Sequence, residues 1–156
     1  MKVLVTGGAG FIGSNLTTAL VEQGEEVTVV DDLCTGFREN VHPDATFIEG
    51  SVADHELMAK AMVGVDQVFH LAAHRAVLRS VQQPLATDTA NTHGTLTVLE
   101  SARDAGVARV VYSSSSSVYG GAAEVPTPEG APLMPRSPYA VTKLAGEHYC
   151  RVFSEL

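Results

Sequence analysis

Hydrophobic and polar positions alternate along this chain with two different periods. Residues 13–23 follow helical spacing, and Gly24 provides an end to that helix. Its predicted apolar face consists of Ile12, Leu16, Leu20 and Val21. Short β-branched runs predict strands at residues 2–6, 26–30, 46–49, 67–71 and 109–113, and further helices are predicted at residues 54–62, 84–105 and 139–156. Strands alternating with helices over short links predict an α/β fold, a doubly wound parallel sheet with helices on both faces.

Composition narrows the class of protein. The chain has 156 residues, of which 45% are hydrophobic, so we expect one globular domain over residues 1–156. A net charge of -8 argues against a nucleic-acid partner, and no stretch approaches the roughly 20 apolar residues of a membrane span. Cys34 and Cys150 are expected to be reduced thiols of a cytoplasmic protein. The six histidines show no metal-ligand spacing with cysteines or carboxylates, so no metal site is expected.

A glycine loop lies between the first predicted strand and the first predicted helix. Gly7, Gly10 and Gly13 allow a tight turn, a close approach of the backbone to a pyrophosphate and close packing of helix on strand. The helix start adds free N–H groups for phosphates, as in Rossmann-type dinucleotide sites. Asp31 ends the second strand, where its carboxylate would bind a ribose and favour NAD over NADP, although nearby Arg38 weakens that inference. The alternative is a glycine turn beside a solvated Asp31-Asp32 pair.

Tyr139 and Lys143 are four residues apart in a predicted helix, so both lie on one face. A neighbouring ammonium stabilises a phenolate, and such a tyrosine can exchange a proton with a hydroxyl group while hydride moves to or from a nicotinamide. The serine run 113–117 ends the fifth strand, at the edge where parallel sheets bind ligands. Taken alone, this spacing also fits a packed aromatic and a solvated lysine.

The combined pattern resembles the extended short-chain dehydrogenase/reductase family, in particular its NAD-dependent sugar epimerases. The matching segments are Val5 to Gly13, His70 to Ala73, Asn91 to Thr95, Ser113 to Gly120 and Pro138 to Lys143. The resemblance implies cofactor contacts from the backbone of Phe11 and Ile12, from the Asp31 side chain, and from the segment after the fourth strand. The full set of expected cofactor residues is Gly7, Gly10, Phe11, Ile12, Gly13, Asp31, Asp32, Ser51, Val52, Leu71, Ala72, Ala73, Tyr139 and Lys143.

The same resemblance implies catalytic roles. Ser115 takes the position of the catalytic hydroxyl, Tyr139 that of the acid/base, and Lys143 that of the residue that binds the nicotinamide ribose and tunes Tyr139. Asn91 is expected either to fix a helix or a water, or to be a structural polar residue. Val77 to Val81 resembles a loop placed by the substrate, and a solvated helix start is equally compatible with it.

Two departures from the family pattern matter. Ser51 occupies the place of an acidic residue that contacts the adenine, which implies altered affinity. The chain also stops after the helix of Tyr139, so the C-terminal part of the family fold, with the substrate domain, is expected to be missing. If the substrate domain is missing, the isolated chain would have no activity.

Residues beside Ser115 bear on the reaction. Dehydratases and decarboxylases of the family carry an acidic residue before the Val-Tyr-Gly segment, and this chain has Ser116 and Ser117 there. The resemblance therefore implies 4-epimerisation of a nucleotide sugar, a UDP-hexose, by transient hydride transfer to NAD, in a homodimer paired through two helices. A keto-sugar reductase or hydroxysteroid-type dehydrogenase, and a non-catalytic NAD-binding module, remain the alternatives.

Overall fold

A single parallel sheet organises the chain. The computed structural model describes residues 1–121 and 124–156. Its five strands, β1 to β5 in chain order, are Lys2–Thr6, Glu26–Asp31, Thr46–Glu49, Gln67–His70 and Arg109–Tyr112. They pair in the order β3-β2-β1-β4-β5, all parallel. The predicted strands are confirmed to within one residue at each end, as is the doubly wound α/β class.

Helices connect the strands. In chain order, α1 to α6 are Phe11–Glu22, His55–Ala61, Val77–Gln82, Pro84–Asp88, Gly94–Ala105 and Pro138–Phe153, and short 3-10 helices cover Arg38–Asn40 and Ser116–Tyr119. Asp54 accepts a hydrogen bond from the backbone N–H of Leu57 and so begins α2, as predicted. Gly106 follows α5 at a φ of 71°, which ends the helix in the left-handed conformation. Among the described residues, no helix is both long and apolar enough to cross a membrane.

Both faces of the sheet are buried. Alternate residues of a strand point to opposite faces, so Val3 and Val5 of β1 join one hydrophobic cluster and Leu4 joins the other. The first cluster packs against Leu20 and Val21 of α1. The second is formed with α2 and α5 and includes Met58, Met62, Val98 and Ala102. This double cover explains why the strands are continuous apolar runs.

The predicted apolar face of α1 is wrong at its first turn. Ile12 is 64% exposed, whereas Gly13 and Thr17 are the buried residues of this helix. A Cβ added to Gly13 would lie 2.2 Å from the carbonyl oxygen of Gly7. The glycine loop therefore occupies the space under this turn, and Ile12 lies at the surface beside the loop.

The predicted helix over residues 84–105 is interrupted. A π-helical turn, Thr89–His93, separates α4 from α5. Asn91 is buried in this turn, and its side-chain oxygen accepts a hydrogen bond from the backbone N–H of His74 at 2.7 Å. Its amide group donates to the His74 carbonyl at 3.2 Å and to the Thr142 hydroxyl at 3.0 Å. Asn91 thus connects the segment after β4 to α6.

Candidate functional site

The topology places a cleft at the carboxyl ends of β1 and β4. The chain runs outward from β1 to β2 and β3, and then returns to the opposite side of β1 as β4. Ligands of open α/β sheets bind at such a switch point. The cleft there has a volume of about 220 Å³. Its walls include every predicted cofactor residue except Tyr139 and Lys143, namely Gly7, Gly10, Phe11, Ile12, Gly13, Asp31, Asp32, Ser51, Val52, Leu71, Ala72 and Ala73.

The glycine loop forms one wall through close backbone contacts. Gly7 has a φ of +74°, and a Cβ on it would lie 2.7 Å from the backbone nitrogen of Ala72. Gly10 precedes α1 and has no side chain with which to bond the first N–H groups of the helix, and the first turn carries no acidic residue. Those N–H groups and the positive end of the helix therefore remain available to an anion.

Asp31 lies where β2 ends and is only 8% exposed. One carboxylate oxygen accepts a hydrogen bond from the backbone N–H of Ala9 in the glycine loop at 3.0 Å, and the other accepts one from Leu33 at 2.8 Å. A carboxylate offers about four acceptor positions, so two backbone donors leave room for hydroxyl groups. The side chain is thereby held in a fixed orientation against the loop.

A buried histidine supports the wall opposite Asp31. The Nδ1 and Nε2 atoms of His70 lie 2.7 Å from the Thr6 hydroxyl and 2.9 Å from the Thr95 hydroxyl, respectively. Complete burial, with a smaller effect from Lys143, lowers the pKa of His70 to about 3, so the ring is neutral near pH 7. The Thr6 hydroxyl also accepts a hydrogen bond from the backbone N–H of Ala72, so Thr6 and His70 are connected to the wall of the cleft.

Several residues of the cleft were not among the predicted ones. They are Val30, Cys34, Thr35, Gly36, Gly50, His74, Arg75, Ala90 and Ser113. The Cys34 sulfur lies 3.6 Å from Nε2 of His74, and partial burial together with a hydrogen bond to Asp32 raises the pKa of the Cys34 thiol to about 11. Ligand atoms of Asp32, Cys34 and His74 all lie within 4.8 Å of one another. Sequence spacing gave no sign of this cluster, because folding joins residues 40 positions apart.

Tyr139 and Lys143 lie at the start of α6, beside the end of β5. The Ser137 hydroxyl accepts from the backbone N–H of Ala140 and begins this helix. Both side chains are buried, and the Lys143 ammonium donates a hydrogen bond to the Ser113 carbonyl at 2.8 Å. Burial lowers the pKa of Lys143 to about 8. Although neither residue lines the cleft, Lys143 contacts its wall at Ser113.

The serine run makes mostly local contacts. The Ser115 hydroxyl accepts from the backbone N–H of Ser117 at 3.2 Å and lies 2.9 Å from the Ser117 hydroxyl, so it begins the short helix Ser116–Tyr119. The Ser114 hydroxyl bonds the carboxylate of Glu147 on α6. These contacts attach the run to α6 at the helix that carries Tyr139.

Comparison with known proteins identifies the family that shares these segments. A family model described as the NAD dependent epimerase/dehydratase family matches residues 3–156. The chain belongs to this family. The resemblance seen in the glycine, serine and tyrosine segments is thereby confirmed at the level of the family.

Individual relatives are similar over nearly all of this chain. The UDP-glucose 4-epimerase of Streptomyces lividans is 44% identical over an alignment of 150 residues that covers 94% of this chain and 46% of that protein. The UDP-glucose 4-epimerase of Thermotoga maritima, solved with UDP-glucose, has a TM-score of 0.96 at 40% identity over 99% of this chain and 52% of that one. The Thermus thermophilus enzyme, solved with NAD, has a TM-score of 0.94 at 40% identity, with coverages of 99% and 51%. The chain spans about half the length of these relatives.

Proposed function

We propose that this chain is the NAD-binding half of an NAD-dependent nucleotide-sugar 4-epimerase that interconverts UDP-glucose and UDP-galactose. The observation that carries the proposal is the cleft at the switch point, with the glycine loop and Asp31 in its walls and Lys143 bonded to its wall at Ser113. The similar proteins from Streptomyces lividans and Thermotoga maritima carry this activity in their names.

The residues of the cleft fit a dinucleotide. The glycine loop leaves no space for side chains at Gly7 and Gly13, so its backbone and the start of α1 face the cleft directly. These N–H groups would hold the pyrophosphate, Asp31 the adenosine ribose, and Ser51 with Val52 the adenine side. Bound NAD would supply a reversible acceptor for hydride.

The residues near β5 would handle the sugar. Tyr139 would act as a phenolate, which the ammonium of Lys143 would stabilise, and would become a neutral phenol on taking the proton from a sugar hydroxyl. The hydrogen bond from Lys143 to the Ser113 carbonyl holds that charge beside the end of β5. Ser115 would share the hydrogen bond to the sugar, after its hydroxyl turns from Ser117 towards the cleft.

Other reactions of the family are less well supported. Dehydration needs an acidic group near Ser115, and the short helix Ser116–Tyr119 offers only hydroxyl groups at Ser116 and Ser117. A keto-sugar reductase or hydroxysteroid-type dehydrogenase would use the same tyrosine and lysine, but it would consume NADH, whereas an epimerase recycles its cofactor. A non-catalytic NAD-binding module would bind NAD and act on no sugar.

The reaction is tested in a fusion of residues 1–156 to the part of the Streptomyces lividans protein that this chain does not cover. We expect the fusion to bind NAD and to interconvert UDP-galactose and UDP-glucose without net consumption of NADH. A fusion that binds NAD but leaves both sugars unchanged would contradict the epimerase proposal. Stoichiometric loss of NADH with a keto-sugar would instead identify a reductase.

The cofactor preference is tested on the chain itself by calorimetric titration with NAD and NADP. We expect NAD to bind more tightly, because the Asp31 carboxylate accepts ribose hydroxyls and repels a 2′-phosphate. Replacing Asp31 with alanine should weaken NAD binding by about 10-fold or more, the value of a hydrogen bond to a charged group, and should remove most of the preference. Asp31→Asn removes the charge and keeps an acceptor for the Ala9 N–H, while its NH2 group takes the place of the oxygen that accepts from Leu33.

The matched control for this titration is Asp44→Ala, which removes an exposed carboxylate outside the cleft. We expect it to bind both cofactors as the parent does. Equal affinities of the parent for NAD and NADP, or an unchanged preference in both Asp31 variants, would contradict the role proposed for Asp31.

We further propose that the protein is a cytoplasmic homodimer paired through its helices. The segment from α4 to α5 packs against α6, and the apolar side chains of Leu85 on α4 and Val141 on α6 are exposed. Light scattering after gel filtration is expected to give twice the 16.4 kDa mass of the chain. A monomer at every protein concentration would contradict the pairing. The two free thiols, Cys34 and Cys150, fit a reducing compartment.

A further inference from the structure

We propose that Asp32, Cys34 and His74 form a zinc-binding site in the wall of the cofactor cleft. Asp32 and Cys34 follow β2, and His74 follows β4, and the two segments meet in the wall of the cleft. One ligand atom from each of the three side chains lies within 4.8 Å of the other two.

The distances fit a tetrahedral metal. Zinc binds a thiolate at about 2.3 Å and an imidazole nitrogen at about 2.0 Å, so two such ligands at the tetrahedral angle are about 3.5 Å apart. The Cys34 sulfur and Nε2 of His74 are 3.6 Å apart. A zinc ion can therefore bind both atoms with almost no change in their separation.

Both segments are held in place before any metal binds. The backbone N–H and carbonyl of His74 are hydrogen-bonded to the buried Asn91 side chain. Between Asp32 and Cys34, Leu33 adopts a left-handed φ of 57°, which is unfavourable for a residue other than glycine. The N–H groups of Leu33 and Cys34 bond the carboxylates of Asp31 and Asp32, respectively, and so stabilise this turn.

The donor set selects the metal. Zinc would displace the proton of the Cys34 thiol on binding, and the resulting thiolate and the imidazole favour zinc over magnesium or calcium. The carboxylate of Asp32 supplies further negative charge. Three protein ligands with an open fourth position are typical of zinc sites that also bind water or another molecule. Asp32 and Cys34 are exposed, so the ion can enter from solvent.

Zinc binding is tested by calorimetric titration of the chain, prepared without a histidine tag, with ZnCl₂. We expect one equivalent of zinc to bind. Cys34→Ala and His74→Gln should each weaken zinc binding by at least about 10-fold, because the loss of a residue that only supports a metal ligand has an effect of this size. Cobalt should give a thiolate charge-transfer absorption that Cys34→Ala removes. Cys150→Ala and His55→Gln, which remove the same groups elsewhere, should bind zinc as the parent does.

Three results would overturn the proposal. They are zinc binding that survives both Cys34→Ala and His74→Gln, loss of binding in the two control variants, and a cobalt complex without thiolate absorption. Circular dichroism of each variant shows whether the fold is kept, and Cys34→Ser provides a second, polar replacement if the alanine variant does not fold.

Occupation of the site should also oppose cofactor binding, a consequence that rests on the proposed binding of NAD. Asp32 directly follows Asp31, and all three zinc ligands line the same cleft as the glycine loop. Saturating zinc is therefore expected to raise the apparent Kd for NAD in the parent and not in Cys34→Ala. If the parent binds both zinc and NAD and its Kd for NAD is unchanged by zinc, this consequence is refuted. If the chain binds zinc but not NAD, only the proposed function is refuted.

Discussion

Replacing Tyr139 with phenylalanine in the fusion is expected to lower the kcat for UDP-galactose by about 10²- to 10⁴-fold, the usual contribution of a positioned acid/base. Tyr139 is 8% exposed and lies in the first turn of α6, so removing its hydroxyl oxygen keeps the packing of the ring. The buried ammonium of Lys143 remains, but no phenolate is left for it to stabilise. Initial rates at saturating sugar, with NAD affinity measured in parallel, test this expectation.

The matched control for that substitution is Tyr149→Phe, which removes the same oxygen from a half-buried tyrosine of the same helix. We expect the control to keep kcat within about 2-fold, as for a change outside the reacting groups. A parent-like kcat in Tyr139→Phe would remove this residue from the proposed chemistry. An equal loss in both variants would show that α6 tolerates no change of this kind.

The second large effect is expected from Gly13→Ala. The added Cβ would lie 2.2 Å from the Gly7 carbonyl oxygen and 2.8 Å from Cα of Gly8, so α1 and the glycine loop must separate. Backbone atoms cannot turn aside as a flexible side chain does, and we expect a loss in the free energy of unfolding of about 3 kcal/mol. NAD binding should fall below detection, because the loop and the start of α1 no longer face the cleft together.

The control for Gly13→Ala is Gly130→Ala, where an added Cβ meets no atom within 4 Å. Urea unfolding and NAD titration of both variants give the comparison. We expect Gly130→Ala to keep the midpoint and the affinity of the parent. A Gly13→Ala variant that unfolds and binds NAD like the parent would show that the close contact is relieved at little cost.

Local patterns were sufficient to predict most of the fold. Strands such as residues 2–6 are apolar runs because both faces of the sheet are covered, and helix ends such as Gly106 carry their own conformational signal. The π-helical turn at Thr89–His93 was not predictable, since its residues are equally compatible with an α-helix. Ile12 was wrongly placed, because helical periodicity contains no information about the loop packed under that turn.

In the candidate site too, residues of one contiguous segment were predictable, and contacts between distant segments were not. Gly7, Gly13 and Asp31 are recognisable from sequence because strand, loop and helix are contiguous there, and the structure places all three in the cleft. The approach of Cys34 to His74 depends on the pairing order of the strands, which no short segment encodes. The pairing of Ser115 with Ser117 arises from the short helix that follows, so the run of serines alone did not reveal it.

The connection made by Asn91 limits which amino acids that position can hold. Its carboxamide accepts from the backbone N–H of His74 and donates to the His74 carbonyl and to the Thr142 hydroxyl, so the position needs one acceptor and a double donor. Aspartate would face the His74 carbonyl with a second oxygen. Leucine would remove the side-chain partner of both backbone groups of His74, while the Thr142 hydroxyl would keep its bond to the Tyr139 carbonyl. We therefore expect this position to tolerate aspartate and leucine poorly.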